Sequence, residues 1–279
     1  MKPVKMNILG DVSNTDNTEF ELPTITGDES PQEMLDYMVL VLSRHMSCEA
    51  AFKGGYMLNQ LLGGASRKTS DVDFSIAYKG DYDGVKKCLV EIAEKFIKCG
   101  LITSYKIKDT IEERKSGGID MYSESGTKIL GVDVGLHNIS YGLKHYDLGF
   151  TDVDGFSIER MLADKMISIT TRKRFRRTKD IYDFYAITNF FDVDMQKLYS
   201  YIGLRGGAEW NNIPFDDTVL VEYEKAWNKL DLYSFSDDFV IDKPNFVDVL
   251  NRFYEFAIPF RRGICNFRWE HKDGRRISI

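Results

Sequence analysis

The chain has 279 residues, enough for one large domain or two ordinary ones. Its 43% hydrophobic and 29% charged residues are typical of a globular protein and exclude a largely disordered one. The net charge of -6 gives no global attraction for nucleic acid, so any such binding must come from a local patch. The cysteines lack the spacing of a zinc site or disulfide framework, and no segment reaches the ~20 apolar residues of a membrane span. We therefore expect a cytoplasmic protein without a membrane partner.

The hydrophobic pattern divides the chain into three parts. Residues 1–30 are polar and predict an N-terminal arm, residues 31–156 predict a mixed α/β domain, and residues 157–279 predict a helical C-terminal domain. The predicted fold class is therefore α+β.

Individual elements follow from local periodicity. Ser30 followed by Pro31 predicts a helix start. In the α/β domain, further helices are predicted at 56–62 and 83–99, and strands at 50–52, 71–78, 101–107, 118–122 and 128–137. In the C-terminal domain, helical spacing predicts helices at 157–170, 177–190, 194–203, 216–230 and 244–257. The basic and aromatic stretch 261–276 has no clear period.

Two aspartates alternate at the start of the strand predicted from residue 71. Because residues two apart project from the same face of a strand, Asp71 and Asp73 share one face, and apolar residues line the other. The strand predicted at 128–137 repeats this pattern around Asp133. If the two strands are neighbours, the three carboxylates repel one another unless a cation neutralises them, and Mg²⁺ is the natural occupant. The alternative is that Asp71 and Asp73 are solvated residues on an exposed sheet face.

A glycine pair, Gly54 and Gly55, follows the strand predicted at 50–52 and precedes the helix predicted at 56–62. Glycines at a helix start offer backbone N–H groups and the positive end of the helix to a phosphate. A tight turn would explain the same pair without any ligand.

Lys165 interrupts the apolar stripe of the helix predicted at 157–170. The apolar residues of that stripe are Ile158, Met161, Leu162 and Ile169. A lysine in such a stripe extends to solvent, pairs with a carboxylate, or faces a cleft. In a cleft beside a metal site it would bind the phosphate tail of a nucleotide.

Six of the eight residues from 172 to 179 are basic, within an acidic protein. This run is either a solvated face or a binding site for a phosphate-rich polymer or a triphosphate. Asp180 and Asp183, on the next helix, would pair with these arginines, or Asp183 would act in the site as a base or as an orienting group for Lys165. The candidate nucleic-acid contacts are Arg172, Lys173, Arg174, Arg176 and Arg177.

Five motifs over roughly residues 48–190 together resemble the AbiEii/AbiGii-type nucleotidyltransferase toxins, which include the MenT toxins. They are Lys53-Gly54-Gly55, Arg67-x-Thr69-Ser70-Asp71-Val72-Asp73-Phe74, Val132-Asp133-Val134, Glu159-Arg160-x-Leu162-Ala163-Asp164-Lys165 and Lys179-Asp180-x-Tyr182-Asp183. The chain departs from many nucleotidyltransferases at the glycine pair, where those proteins have Gly-Ser.

The resemblance implies a DNA-polymerase-β-like nucleotidyltransferase core with a helical C-terminal domain. It implies Mg²⁺-dependent transfer of a nucleotide from an NTP to an acceptor hydroxyl of RNA, with tRNA as the acceptor class. It also implies that the protein is the toxin of a bacterial toxin–antitoxin or phage-defence system and has a cognate antitoxin. The roles it implies are metal binding by Asp71 and Asp73, triphosphate binding by Lys165, and completion of the catalytic site by Asp183. The strand pattern adds Asp133 as the candidate third metal ligand, and Gly54, Gly55 and Ser70 are the candidate nucleotide-binding residues beside Lys165.

Two other functions are compatible with the same motifs. One is nucleotidyl transfer to a protein or small molecule. The other is a non-catalytic module that binds RNA or a partner through a degenerate nucleotidyltransferase fold.

Overall fold

The structure is a computed structural model that describes residues 22–46, 48–63, 66–77, 79–109, 116–137, 139–169, 178–205, 217–230, 243–262, 265–271 and 275–278. The chain divides into two compact units. The first consists of Met1–Tyr56 and Ser70–Gly155, and the second of Met57–Thr69 and Phe156–Ile279. The second unit therefore contains a short segment that lies in sequence between two parts of the first.

Seven strands, almost entirely in the first unit, form one mixed sheet. They are β1 (Ala50–Lys53), β2 (Asp71–Ile76), β3 (Ser104–Asp109), β4 (Ser116–Tyr122), β5 (Lys128–Leu136), β6 (Leu143–Asp147) and β7 (Asp152–Phe156). Their order across the sheet is β3-β4-β5-β2-β1-β7-β6. The central strand β2 is parallel to β5 and antiparallel to β1. The hydrogen bond from the Ser123 N–H to the Thr127 carbonyl closes the turn between β4 and β5.

One face of this sheet is apolar and is covered by two helices, α1 (Pro31–His45) and α3 (Tyr82–Lys98). A capping box fixes the start of α1, because the Ser30 side chain accepts from the Glu33 N–H while the Glu33 carboxylate accepts from the Ser30 N–H. The helix α2 (Gly54–Leu62) follows β1 directly. With the apolar face buried, the polar face of β2 and β5 remains available for charged side chains.

The second unit is mainly helical. Its helices are α4 (Ile158–Ile169), α5 (Thr178–Phe190), α6 (Met195–Leu204), α7 (Asp217–Asn228) and α8 (Phe246–Arg261). Helix α4 packs against α5 and α6, and α5 packs against α8 through Phe184, whose ring contacts Phe253 and Phe256. Three short strands, β8 (Val193–Asp194), β9 (Phe267–Glu270) and β10 (Arg275–Ser278), form a small antiparallel sheet in the order β10-β9-β8.

The α+β class and the predicted helices and strands of both halves are confirmed, with ends that coincide or differ by up to four residues. The strands β6 to β10 were not predicted. Four of these five strands lie in stretches of the sequence that show no hydrophobic periodicity. All five strands, at two to five residues, are too short to display a clear alternation of apolar and polar residues. Residues 1–21 of the predicted arm lie outside the described residues. No helix in the described part of the chain has the length and apolar character needed to span a membrane.

Candidate active site

Asp71 and Asp73 lie on the polar face of β2, at the centre of the sheet. Both are partly exposed, while the alternating Val72 and Phe74 are completely buried on the opposite face. In the parallel pair of β2 and β5, Asp73 lies directly opposite Asp133. The two strands are therefore neighbours, as the metal-site hypothesis requires.

The glycine pair adjoins this carboxylate group. Gly54, at the start of α2, has a φ of +74°, a conformation that favours glycine. A Cβ atom at Gly54 would overlap the carboxylate of Asp73. The glycine pair and Asp73, which lie some twenty residues apart in sequence, are thus in direct contact, and only a glycine fits at position 54.

Two lysines bridge three of the carboxylates on this face. Lys128 Nζ lies 2.7 Å from Asp71 Oδ1 and 2.8 Å from Asp120 Oδ1. Lys108 Nζ lies 3.0 Å from the same Asp120 oxygen and 2.6 Å from Asp133 Oδ1. We call these five residues the strand-face network. Asp120 is its centre, because it contacts both ammonium groups.

Gly131 on β5 provides the room in which part of this network meets. It is paired with Asp71 on β2 and with Asp120 on β4. A Cβ atom at Gly131 would overlap the Asp71 carboxylate and would lie 2.7 Å from Lys128 Nζ and 2.8 Å from Asp120 Oδ1. Any side chain at this position would displace the ion pairs.

The pKa values of the network follow from its pairing. Partial burial by itself would lower the pKa of Lys128, but hydrogen bonds to Asp120 and Asp71 outweigh it and raise that pKa. Burial likewise opposes the shift at Lys108, whose pKa is raised by Asp133 and Asp120. The pKa of Asp120 is lowered, because its two lysine partners outweigh the effect of burial. Both lysines are therefore charged at neutral pH.

The donor set on this face fits Mg²⁺ in its chemistry. Carboxylate oxygens are the ligands that this ion prefers, and Asp71 and Asp73 project from one face of one strand. However, within the described ranges no three or more His, Cys, Asp or Glu side chains converge in an arrangement that could hold a metal. The ammonium groups of Lys128 and Lys108 contact Asp71 and Asp133 instead.

A second ionic group, which we call the buried tetrad, lies in the second unit. Lys165 on α4 contacts two carboxylates of α5, with its Nζ atom 2.9 Å from Asp180 Oδ1 and 2.6 Å from Asp183 Oδ2. Arg67 binds Asp183 through two hydrogen bonds, Nε to Oδ1 at 2.8 Å and Nη2 to Oδ2 at 2.9 Å. All four side chains are at most 13% exposed. Lys165 therefore pairs with carboxylates, which is one of the three alternatives that its place in the apolar stripe allowed.

The tetrad holds two positive and two negative charges. Burial by itself would raise the pKa of Asp183, but Arg67 and Lys165 outweigh it and lower that pKa. Burial opposes the shift at Lys165 as well, where Asp183 and Asp180 outweigh both burial and the repulsion of Arg67 and raise the pKa. All these charges are thus mutually compensated, which is the condition for keeping them out of water.

Two further predicted site residues, Ser70 and Asp183, have defined contacts. The hydroxyl of Ser70 donates to Asp71 Oδ2 over 3.3 Å. Asp183 pairs with Arg67 and Lys165. The basic residues Arg172, Lys173, Arg174, Arg176 and Arg177 lie outside the described residues.

Four further charged residues belong to these groups although the sequence analysis assigned them no role: Arg67, Lys108, Asp120 and Lys128. The alternation of Lys106 and Lys108 with apolar neighbours on β3 is a signal that could have placed Lys108 on the polar face. Arg67 lies in a segment without periodicity, so no local pattern marks its partner.

Comparison with known protein sequences gives two results. The family model described as "Nucleotidyl transferase AbiEii toxin, Type IV TA system" matches residues 41–252. No curated protein sequence matches the chain.

Solved structures provide likenesses at low sequence identity. A putative nucleotidyltransferase from H. pylori is 15% identical, with a TM-score of 0.52 over 84% of this chain and 94% of that one. JHP933 from Helicobacter pylori is 13% identical, with a TM-score of 0.49 over 84% of this chain and 91% of that one. The first likeness supports a nucleotidyltransferase-like fold.

Proposed function

The chain belongs to the AbiEii family of nucleotidyltransferase toxins, and we propose that it transfers a nucleotide from an NTP to a hydroxyl group of RNA, with tRNA as the expected acceptor. The reaction we propose depends on Mg²⁺. The family description names a type IV toxin–antitoxin system, so a cognate antitoxin is the expected protein partner, and a role in phage defence is part of the proposal.

One observation carries the assignment of the site. A Cβ atom added at Gly54 would overlap the carboxylate of Asp73. The glycine pair, which is the candidate phosphate-binding element, and Asp73, which is a candidate metal ligand, are therefore parts of one local structure. Each motif is common when it stands alone. Their contact favours a site that handles a phosphate and a cation together.

Asp71 and Asp73 are the residues that would hold Mg²⁺. When bound, the ion would neutralise the phosphate oxygens of the NTP and acidify the attacking hydroxyl. Asp133 lies opposite Asp73 and is the candidate for a third ligand.

The reaction is a phosphoryl-group substitution. An oxygen of the acceptor hydroxyl bonds to the α-phosphorus of the NTP, the bond from that phosphorus to the α–β bridging oxygen breaks, and pyrophosphate leaves while the hydroxyl proton passes to solvent. Gly54 and Gly55 would offer backbone N–H groups to the phosphates at the start of α2, and the Ser70 hydroxyl would add a donor. Lys165 would neutralise charge on the departing pyrophosphate.

Asp183 acts in this proposal as a positioning residue. It contacts Lys165 at 2.6 Å and is itself held by two hydrogen bonds from Arg67. A carboxylate so closely paired is a poor base, because its pKa is lowered by both cations. Its contribution is to fix the ammonium group of Lys165.

The acceptor is inferred from the basic run at residues 172–177, whose charge suits an RNA backbone. Reversal of Arg174, Arg176 and Arg177 to glutamate should weaken RNA modification far more than NTP binding. Equal loss of both would indicate that the run binds the triphosphate instead.

The proposal is tested by incubating the protein with each α-labelled NTP, Mg²⁺ and total RNA. We expect label in an RNA species with the wild-type protein and none with Asp71→Asn. The matched control is Asp152→Asn, which changes an aspartate that is 66% exposed on β7 and should retain activity. Label that appears equally with Asp71→Asn would contradict the assignment, and label in protein or in a small molecule would replace RNA as the acceptor.

The role of Lys165 in transfer is tested with a double variant that preserves the charge balance of the buried tetrad. Lys165→Met combined with Asp180→Asn leaves Arg67 paired with Asp183, so the protein should remain folded by circular dichroism while losing transfer. If calorimetry detects no Mg²⁺-dependent NTP binding by the wild-type protein, the chain is a non-catalytic module.

A further inference from the structure

We propose that Lys128 is a resident counter-cation of the metal site, which competes with the divalent cation for Asp71 and remains on Asp120 when that cation binds. The inference rests on the proposed function, because it assumes that Asp71 is a metal ligand. It assigns a role to a lysine and an aspartate that the transfer reaction itself does not use.

The ammonium group of Lys128 lies between two carboxylates. Lys128 Nζ is nearly equidistant from two carboxylates, at 2.7 Å from Asp71 and 2.8 Å from Asp120. It can therefore give up one partner and keep the other without moving into a new environment. Gly131 keeps this meeting point free of any side chain.

Asp120 contacts both lysines of the strand-face network. Its Oδ1 atom accepts from Lys128 at 2.8 Å and from Lys108 at 3.0 Å, and its side chain is only 19% exposed. The Asp71 side chain as a whole is more accessible, at 34%, although its Oδ1 atom, which Lys128 contacts, is buried. The outer carboxylate is thus the one that an incoming cation reaches, and the inner one holds the lysine.

The charges of the strand-face network limit its attraction for a free dication. Asp71, Asp120 and Asp133 carry three negative charges, and Lys108 and Lys128 carry two positive charges, so the strand-face network has a net charge of -1. Asp73, the second proposed metal ligand, lies beside the network and adds one further negative charge. A dication that joins the intact network meets this small net charge and the repulsion of two nearby ammonium groups. Affinity for the free ion is therefore held low, and a cation that arrives on a nucleotide brings further oxygen ligands with it.

Removal of the lysine charge should tighten metal binding. At a separation of a few ångströms, the loss of one positive charge beside a dication corresponds to about a tenfold or larger gain in affinity. We expect Lys128→Met to bind Mn²⁺ at least about tenfold more tightly than the wild type, and Lys128→Gln to behave similarly. Lys128→Arg retains the charge and should resemble the wild type.

Asp120 should act through Lys128. In Asp120→Asn the lysine loses its alternative partner and stays on Asp71, so Mn²⁺ binding should weaken. The same substitution in a Lys128→Met background should have a clearly smaller effect. Equal effects in both backgrounds would contradict the coupling.

The measurement is a titration of Mn²⁺ followed by the electron paramagnetic resonance signal of the free ion, with and without a non-hydrolysable NTP analogue. The control is Lys87→Met, which makes the same charge change at a lysine that is 80% exposed on α3 and should leave the affinity unchanged. Thermal unfolding gives an independent readout. Lys128→Met should melt below the wild type in chelator and gain more from added Mn²⁺.

The outcomes separate the two proposals. Mn²⁺ binding that is absent, or that Asp71→Asn leaves intact, overturns the proposed metal site and this inference with it. Binding that depends on Asp71 but has the same affinity in Lys128→Met and wild-type protein overturns the role of Lys128 alone. Tighter binding by the methionine and glutamine variants, with Lys87→Met unchanged, supports it.

Discussion

Replacement of Arg67 by methionine gives a direct test of the buried tetrad. Arg67 and Asp183 have side chains that are 9% and 4% exposed, and two hydrogen bonds join them. Without the guanidinium group, Lys165 faces both Asp180 and Asp183, and the tetrad carries an uncompensated negative charge. Breaking a buried pair in this way costs about 3–5 kcal/mol. We expect the free energy of unfolding to fall by about that amount.

The loss should depend on pH in a defined direction. Because Arg67 and Lys165 lower the pKa of Asp183 below its unfolded value, ionised Asp183 stabilises the fold above about pH 4. This stabilisation disappears as the pH falls through the lower folded-state pKa. In Arg67→Met the pKa of Asp183 is lowered less, so less stability is lost on acidification. The difference between the two proteins should be largest at neutral pH and shrink below about pH 4.

Urea unfolding at a series of pH values, followed by circular dichroism, measures this difference. The control is Lys225→Met, which removes an exposed cation from α7 and should change stability by less than about 0.5 kcal/mol. Asp183→Asn should also destabilise the protein, since it leaves Arg67 and Lys165 with Asp180. The double variant Arg67→Met/Asp183→Asn restores a balanced Lys165–Asp180 pair. It should therefore be destabilised by less than the sum of the single variants, with a coupling of about 1–3 kcal/mol. Strict additivity, or a loss independent of pH, would refute the reasoning.

Two further predictions concern a glycine and a cysteine. Gly54→Ala and Gly126→Ala both place alanine at a φ of +74°, but the Cβ atom meets nothing within 4 Å at Gly126, whereas at Gly54 it overlaps Asp73. Gly126→Ala should therefore lower the free energy of unfolding only by the conformational strain of about 1–2 kcal/mol and keep transfer activity. Gly54→Ala should lower the free energy of unfolding by more, as measured by urea unfolding, and abolish transfer. Equal losses of stability in the two variants would show that Asp73 can move aside. Cys88 is 7% exposed and burial raises the pKa of its thiol to about 11, so iodoacetamide at pH 8 should leave it unmodified in the folded protein and modify it in urea, as judged by peptide mass spectrometry. Modification at the same rate in both states would contradict that burial.

The sequence identified those parts of the site whose positions follow from a local period. Alternation in β2 and β5 placed Asp71, Asp73 and Asp133 on polar strand faces, and the two strands pair in register. Lys165 stood out because it interrupts an apolar stripe, and of the three alternatives open to such a lysine it takes the pairing with carboxylates, those of Asp180 and Asp183. In each case, the geometry of one helix or one strand was sufficient.

The missed contacts depend on pairing between distant segments. Arg67 and Asp183 are 116 residues apart, and nothing in the segment around Arg67 indicates which carboxylate it binds. Asp120 joins the site only through the register of β4 with β5. The strands β9 and β10 have four residues each, and their stability comes from mutual pairing and from the buried Trp269, whose indole N–H donates to the Thr188 carbonyl at 2.7 Å. Such partners are fixed by tertiary packing, which local propensity does not encode.

The position of Lys108 has a consequence for association between copies of the chain. Its strand, β3, is the outermost strand at one end of the seven-stranded sheet, and it carries Lys106 and Lys108 along one face. The strand at the opposite end, β6, carries Lys144 and Asp147. Charged side chains on outer strands discourage the addition of a strand from another molecule. Substitutions that remove the charge of Lys108 would therefore also make it easier for another molecule to pair with the backbone of β3, which favours aggregation. The solubility of such variants has to be measured alongside their ligand binding.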